Sequence, residues 1–373
     1  MLKIAIVGCG KIADAHASQI HRIKGCEIVG ACDREELMAR QLAERFRIGR
    51  HFADLTALIH ETRPDVVHIT TPPQSHFSIA RRCLEEGCHV YVEKPFALHT
   101  SEAEELIGLA ERRNLKLTAG HDDQFRHVAR RMRQLVHDGY LGGAPLHMES
   151  YYCYSEIAEA GPYAKALLGD KDHWVRKLPG GLLHNLISHG IARIAEFLPT
   201  DAPRVLAHGF ASPTLRRMGE SEIVDELRVI ISDNSAAVTA YFTVSSQMRP
   251  SLHQFRLFGS RNGLLLDQDN ETLIRLTGER YKSYAEHFLS PLGLAKQYVG
   301  NTSRNVRTFL ANDFHMKSGM KYLIESFYRS ITAGAPLPIS YREILLTARI
   351  MDDIFEQIRE TTTRAEEPVR TGG

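Results

Sequence analysis

The feature that most restricts the fold is the regular exchange of two hydrophobic periods along the first third of the chain. Leu2 to Val7 is a mostly apolar run of single-strand length, and Lys11 to Ile23 carries Ile12, Ala15, Ile20 and Ile23 at helical spacing. Glu27 to Cys32 predicts a second strand and Glu35 to Phe46 a second helix. Further strands are predicted at Asp65 to Thr70, His89 to Val92 and Lys116 to Ala119, separated by helical patterns at Ser75 to Glu86 and Ser101 to Arg113. Short buried strands alternating with helices imply right-handed crossovers and a doubly wound parallel sheet.

After about Asp123 the rhythm changes. Strands are predicted at His147 to Tyr154, Arg204 to Ala211, Glu226 to Ser232, Ala236 to Val244, Gln254 to Phe258 and Leu264 to Asp267. Few helices separate them, and Asp233-Asn234 and Arg261-Asn262-Gly263 supply turn chemistry. This predicts a second, α+β domain on a large open, mostly antiparallel sheet. Helical spacing returns at Ser318 to Thr332 and Ile344 to Arg359. The expected division is an α/β Rossmann domain at 1–122 and an α+β domain at 123–360, whose last helix could pack back on the first. A flexible tail is expected at 361–373. The 373 residues suit two domains.

A net charge of +1 gives no global electrostatic pull toward nucleic acid or an anionic membrane, so neither is expected as a partner. The six cysteines form no CxxC pair and are expected as free thiols. Ile4 to Val7 is too short for a signal-peptide core and no run approaches a membrane span, so the expected compartment is the cytoplasm.

Gly8-x-Gly10-x-x-Ala13 follows the first strand directly and opens a helix, the setting that a dinucleotide fingerprint requires. Gly8 permits the tight turn, Gly10 lets the backbone approach a pyrophosphate, and the small Ala13 lets helix and strand pack closely. The free N–H groups of the helix start, at Lys11 and Ile12, then face the phosphates. Asp33, ending the second strand, can accept hydrogen bonds from an adenosine ribose and repel a 2′-phosphate, favouring NAD over NADP. Arg34 beside it can stack on adenine or accommodate that phosphate, which keeps NADP open.

Glu93-Lys94-Pro95 lies just past the strand at His89 to Val92, at the carboxyl edge where such sheets place ligands. Lys94 can donate to a substrate oxygen and stabilise an alkoxide as hydride moves. Pro95 could hold a cis bond. The same Lys-Pro pair also serves as an ordinary turn.

The glycine turn, Thr71-Pro72-Pro73-Gln74-Ser75-His76 and Glu93-Lys94-Pro95, in this order and spacing, resemble the Gfo/Idh/MocA oxidoreductases. The run Gly180-Gly181-Leu182-Leu183-His184-Asn185-Leu186-Ile187-Ser188-His189 is similar to the family's glycine-pair motif. The resemblance covers nearly the whole chain, with Tyr281 to Asn312 looking like an insertion. It implies an active site in the cleft between the two domains, with Lys94 as catalytic lysine and His189 as general acid/base. It also implies that Thr71, Pro72 and His76 line the dinucleotide and that Glu93 helps place the nicotinamide end.

Asn185 and His189 are four apart and on a helix would share a face, while Gly180-Gly181 would allow close approach to a ligand. Asn185 replaces the family's usual aspartate, so it can orient a hydroxyl but not take its proton. In His121-Asp122-Asp123-Gln124-Phe125, Gln124 stands where the family often has a substrate-facing arginine. Tyr151, Tyr152, Tyr154 and Trp174 are aromatic candidates for contact with a sugar, with Tyr152 and Trp174 preferred. Among the 19 histidines no metal-ligand spacing occurs, and no metal is expected. Arg126, Arg130, Arg131 and Arg133 read as a solvated helix face.

The resulting expectation is an NAD(P)-dependent dehydrogenase acting on a hydroxyl carbon of a sugar, polyol or sugar derivative. A redox-neutral glycosidase, lyase or epimerase-like enzyme with retained NAD, and a non-catalytic dinucleotide-binding regulator, are the alternatives. An open sheet face left bare would be a large apolar surface, so a homodimer or homotetramer is expected across it.

Overall fold

The computed structural model describes residues 1–154, 162–278, 284–314 and 317–366. They fall into two compact units, 1–127 with 311–348 and 128–310 with 349–373.

The first unit opens with β1 (Leu2–Val7), α1 (Lys11–Ile20), β2 (Cys26–Cys32) and α2 (Glu36–Phe46). It continues with β3 (His51–Phe52), α3 (Leu55–Thr62), β4 (Val66–Ile69), α4 (His76–Glu85), β5 (His89–Val92), α5 (Thr100–Arg112) and β6 (Leu117–Ala119). The six strands form one sheet in the order β3-β2-β1-β4-β5-β6, every pair parallel. Ile4, Ile6, Val66, Val67, Ile69, Val90 and Val92 are buried, because helices cover both faces and such strands need apolar residues at consecutive positions. The pair β3 and α3 is absent from the sequence expectation. Two residues are too short for a strand pattern, but α3 has a readable start, since the Asp54 carboxylate accepts from Ala57 N–H at 2.8 Å.

Next come α6 (His127–His137), β7 (His147–Cys153), α7 (Pro162–Gly169), α8 (Gly181–Leu186), α9 (Ser188–Phe197), β8 (Arg204–Phe210) and α10 (Pro213–Arg217). They are followed by β9 (Glu226–Asp233), β10 (Val238–Ser245), β11 (Leu252–Phe258), β12 (Asn262–Asp267) and β13 (Thr272–Thr277). These strands form a second sheet in the order β13-β12-β11-β7-β10-β9-β8. Only the β7–β10 pair is parallel among its described pairs, so the sheet is mixed and mostly antiparallel. One face alternates into the core through Leu227, Val229, Ile231, Ala240, Phe242 and Val244. Helix α9 covers that face, and a Cβ on Gly190 would lie 2.3 Å from the Phe242 ring. The opposite face leaves Leu206, Ile230 and Tyr241 exposed.

The chain closes with α11 (Tyr284–Leu310), α12 (Ser318–Thr332) and α13 (Tyr341–Glu366). The region expected as an insertion from Tyr281 is thus one 27-residue helix from Tyr284 onward; residues 281–283 lie outside the described set. Helix α13 runs on to Glu366, into the segment expected as a flexible tail from Thr361. Residues 367–373 are outside the described set. Among the described residues no helix is long and apolar enough to cross a membrane. All six cysteines are free thiols.

Candidate active site

The glycine turn sits at the carboxyl end of β1. Gly8 has φ +92°, and a Cβ there would lie 2.7 Å from both Thr71 Cγ2 and Thr71 N, so the position excludes every side chain. Gly10 caps α1 without a side-chain hydrogen bond, and a Cβ there would meet nothing within 4 Å. The first-turn N–H groups of α1 therefore open onto free space, the condition for receiving a pyrophosphate. Ala13 is fully buried. Asp33 is fixed at the end of β2: its Oδ2 accepts from Cys9 N–H at 2.7 Å and its Oδ1 from Glu35 N–H at 3.0 Å. Lys11 and Arg34 are exposed on either side, and Ile12 is half-buried.

Along the same sheet edge, the order β2-β1-β4-β5 sets Asp33, the glycine turn, Thr71 and Lys94 in a row. At ~4.8 Å per strand the row spans ~14 Å, and the switch point of the sheet lies between β1 and β4. Thr71 is half-buried and Pro72 exposed at this edge. His76 is fully buried, with Nδ1 2.9 Å from Pro95 O and Nε2 2.8 Å from Thr71 O. Burial lowers its pKa against those hydrogen bonds. It thus ties the Thr71 loop to the Lys94-Pro95 loop, whose peptide is cis, and its ring nitrogens face the backbone.

Lys94 follows β5 beside Glu93, whose Oε2 accepts from Lys94 N–H at 3.1 Å. Burial lowers the Lys94 pKa, while the charges of Glu93 and Asp122 push it back up and Lys317 lowers it. Gly120 is required next to this pair, because a Cβ there would lie 2.9 Å from Glu93 Oε1. Asp122 is buried with Lys317 Nζ 3.9 Å from its Oδ2. Burial, with Asp123 and Glu93 adding repulsion and Lys317 opposing, raises its pKa to about 7. Gln124 lies in the same turn and is buried.

Behind Glu93 runs a chain of polar groups that sequence reasoning missed. His16 Nε2 is 2.8 Å from Glu93 Oε1, His16 Nδ1 is 2.8 Å from His68 Nδ1, and His68 Nε2 is 2.8 Å from the Tyr328 hydroxyl. The His68 ring stacks on Tyr91 at 4.7 Å between centroids. The available signal was two histidines set into apolar elements, His16 in α1 and His68 inside the run Val66–Ile69.

In the second unit, Asn185 lies in the last turn of α8 and His189 in the first turn of α9, a correction to the single helix expected there. Ile187 between them keeps helical angles, φ −81° and ψ −19°, and its N–H bonds Leu183 O at 2.9 Å. The two half-buried side chains therefore stay one turn apart. Gly180 is required for a different reason from ligand approach, since a Cβ there would lie 2.3 Å from the Phe355 ring. Gly181 has φ +52°. Tyr152 is 1% exposed, its ring near-parallel to His189 at 6.3 Å with the Arg193 guanidinium 5.5 Å from its centroid. It backs His189 instead of presenting a face outward. Trp174 is half-buried against the cluster of Ala164, Leu167, Val175, Leu182, Leu215 and Ile223. His184 is buried and stacks on Phe355 at 4.7 Å. Among the described residues no group of three or more metal-ligating side chains is assembled.

Residues 2–121 match the model of an oxidoreductase family with an NAD-binding Rossmann fold. The D-glucoside 3-dehydrogenase of Escherichia coli is 32% identical over 142 residues, covering 38% of this chain and 40% of that protein. The myo-inositol 2-dehydrogenase of Thermotoga maritima is 21% identical over 321 residues, 85% of this chain and 89% of its own length. The UDP-N-acetylglucosamine 3-dehydrogenase of Acidithiobacillus ferrooxidans is 33% identical over 149 residues, 40% of this chain and 44% of that protein. Its solved structure superposes with a TM-score of 0.70 at 20% identity, covering 96% of this chain and 98% of that one. The chain thus aligns with less than half the length of the glucoside and UDP-sugar relatives in sequence, while the likeness of fold extends over both units. The domain that carries the glycine turn, Asp33 and Lys94 thus matches the Gfo/Idh/MocA oxidoreductase family over residues 2–121.

Proposed function

We propose that this protein is an NAD-dependent dehydrogenase that oxidises a hydroxyl carbon of a sugar, polyol or sugar derivative. The observation that carries the reading is the row along one sheet edge: Asp33 held by two backbone N–H groups, the open start of α1, and Lys94 two strands beyond β1. The residues fit a dinucleotide, because the start of α1 offers uncapped N–H groups beside a glycine with free space. Asp33 would accept the ribose hydroxyls, and its charge disfavours a 2′-phosphate, which supports NAD over NADP.

When bound, the nicotinamide ring supplies the hydride acceptor. The Lys94 ammonium would donate to the substrate oxygen and stabilise negative charge as the C–H bond is lost. A His189 ring nitrogen would take the hydroxyl proton, and the Asn185 amide would orient that hydroxyl. Glu93 holds the Lys94 backbone through its N–H, so it fixes the lysine's starting point. The relatives' names, a glucoside, a UDP-sugar and an inositol dehydrogenase, support a ring hydroxyl as the target. The test is a panel of sugars, polyols and nucleotide sugars with NAD and NADP, followed by NADH absorbance. Turnover that survives Lys94→Ala unchanged would remove the assignment.

The exposed sheet face supports a homodimer as the working assembly. Leu206, Ile230 and Tyr241 lie together with Tyr151 and Arg228 around a shallow depression on β7 to β10, an apolar patch of the kind that subunits cover. Ile230→Glu should lower the sedimentation mass, and an unchanged mass would discard this interface.

A further inference from the structure

Helix α11 is built inside out. Toward the second sheet it presents Gln297, Asn301 and Asn305, one turn apart. Gln297 bonds both Arg275 N–H at 2.8 Å and Arg275 O at 3.1 Å, and Asn301 does the same for Leu273 at 3.3 and 3.1 Å. Asn305 reaches Asn270 O at 3.2 Å. The inner face thus clips β13 by amide side chains, as an added strand would by its backbone. Asn301 is the one buried residue of the helix.

The outer face holds the apolar residues. Phe288, Leu292, Ala295, Val299, Thr302, Val306 and Phe309 are all exposed and follow one another at alternating steps of four and three. Phe288 is 71% exposed, Val299 67% and Phe309 68%, and Tyr284 and Leu310 at the ends are 82% and 77% exposed. Alternation of four and three over three heptads is the seam that a second helix covers by knobs-into-holes packing.

We propose that α11 pairs antiparallel with α11 of a second copy, about a two-fold axis at the level of Gln297, the midpoint of Tyr284–Leu310. That axis places six of the seven seam residues opposite another seam residue. Phe288 meets the partner's Val306, Leu292 meets the partner's Thr302, Ala295 meets the partner's Val299, and Phe309 meets the partner's Ala285. Large residues face smaller ones in each layer, and the two exposed ends, Tyr284 and the partner's Leu310, cover each other. The charges choose the direction. Glu286 lies in the first turn, whereas Lys296, Arg304 and Arg307 lie in the middle and last turns, so only the antiparallel pairing brings acid near base. Opposed helix dipoles favour the same direction.

The size is adequate. Twenty-seven residues make a helix of ~40 Å, and interdigitated contact along it buries on the order of 800 Å² per copy, that of a specific interface. This contact uses a different surface from the β7–β10 face, so the two together would build a tetramer of closed two-fold symmetry.

The test is sedimentation equilibrium of the full-length protein and of Val299→Asp, which sets two carboxylates beside the axis. The expected result is a halved mass at micromolar concentration, with unchanged far-ultraviolet circular dichroism and Ile230→Glu lowering the mass separately. An unchanged mass with intact structure overturns the pairing. If Val299→Asp misfolds, hydroxyl-radical footprinting of the unsubstituted protein decides. Phe288 and Phe309 should be protected at high concentration and labelled on dilution; full labelling at all concentrations overturns the proposal.

Discussion

The Nδ1 atoms of His16 and His68 face each other at 2.8 Å in the core of the first unit. One must donate and the other accept. His16 Nε2 faces the Glu93 carboxylate, which only accepts, so His16 donates there; with a neutral ring its Nδ1 is then the acceptor. His68 must then donate from Nδ1 and accept the Tyr328 hydroxyl proton at Nε2. Burial lowers the His68 pKa well below its ordinary value and keeps that ring neutral. The hydrogen bonds therefore run in one direction, Tyr328 to His68 to His16 to Glu93, and end on the residue that holds the Lys94 backbone.

Tyr328→Phe removes the first donor and leaves His68 Nε2 as a buried acceptor without one. Such a loss costs about 1–3 kcal/mol. Urea denaturation should show that destabilisation while NADH affinity changes little, because the cofactor edge is untouched. A variant as stable as the parent would mean that the Tyr328–His68 hydrogen bond contributes nothing to folding.

Glu93 and Asp122 should give stability opposite pH signatures. Burial alone would raise Glu93, but the hydrogen bond from His16 and the charge of Lys94 outweigh it and hold its pKa at about 2. Below its unfolded value of ~4.3 that contribution is lost as pH falls toward 2. Asp122 is raised to about 7. Its proton stabilises the folded state fully below ~3.9, and that contribution is lost as pH rises through 7. Thermal melts should therefore show Asp122→Asn a few degrees more stable than the parent at pH 8 and indistinguishable at pH 4. Equal differences at both pH values would contradict the shift.

How far these residues could be read in advance depends on how local their signal is. The strand-turn-helix at Gly8 and the acid at Asp33 are consecutive in sequence, and the parallel sheet follows from patterns within each element. His16, His68 and Tyr328 come from α1, β4 and α12, and only folding brings them together. Helix α11 escaped because its apolar residues face outward and Pro291 and two glycines interrupt it, so the pattern resembles an insertion. Gly180 was legible as a requirement for space, but the occupant, Phe355, lies far along the chain.

Asp33 does two things at once, and one substitution separates them. Its oxygens hold the Cys9 and Glu35 N–H groups, and in the proposed dinucleotide site its charge would face the ribose. Asp33→Asn keeps an acceptor for one N–H and removes the charge. NADH titration should show NAD binding weakened roughly ten-fold, the ~1.4 kcal/mol of one charge-assisted hydrogen bond, with the preference over NADP reduced by at least as much. A loss of NAD binding with discrimination intact would point to Arg34 as the discriminating residue instead.

The last test concerns the glycine pair. Gly180 lacks room for a methyl group because the Phe355 ring would stand 2.3 Å away, and the same ring stacks on His184. Gly180→Ala must push Phe355 off that stack, a case of overpacking that costs about 1–3 kcal/mol. Because Gly180 caps α8, the shift should also reach Asn185 at the helix end. The expected outcome is a lower denaturation midpoint together with a several-fold lower kcat. Phe355→Leu in the same chain makes room for the methyl and should restore part of both. If the double variant is no better than Gly180→Ala alone, steric pressure on Phe355 is not what fixes glycine at this position.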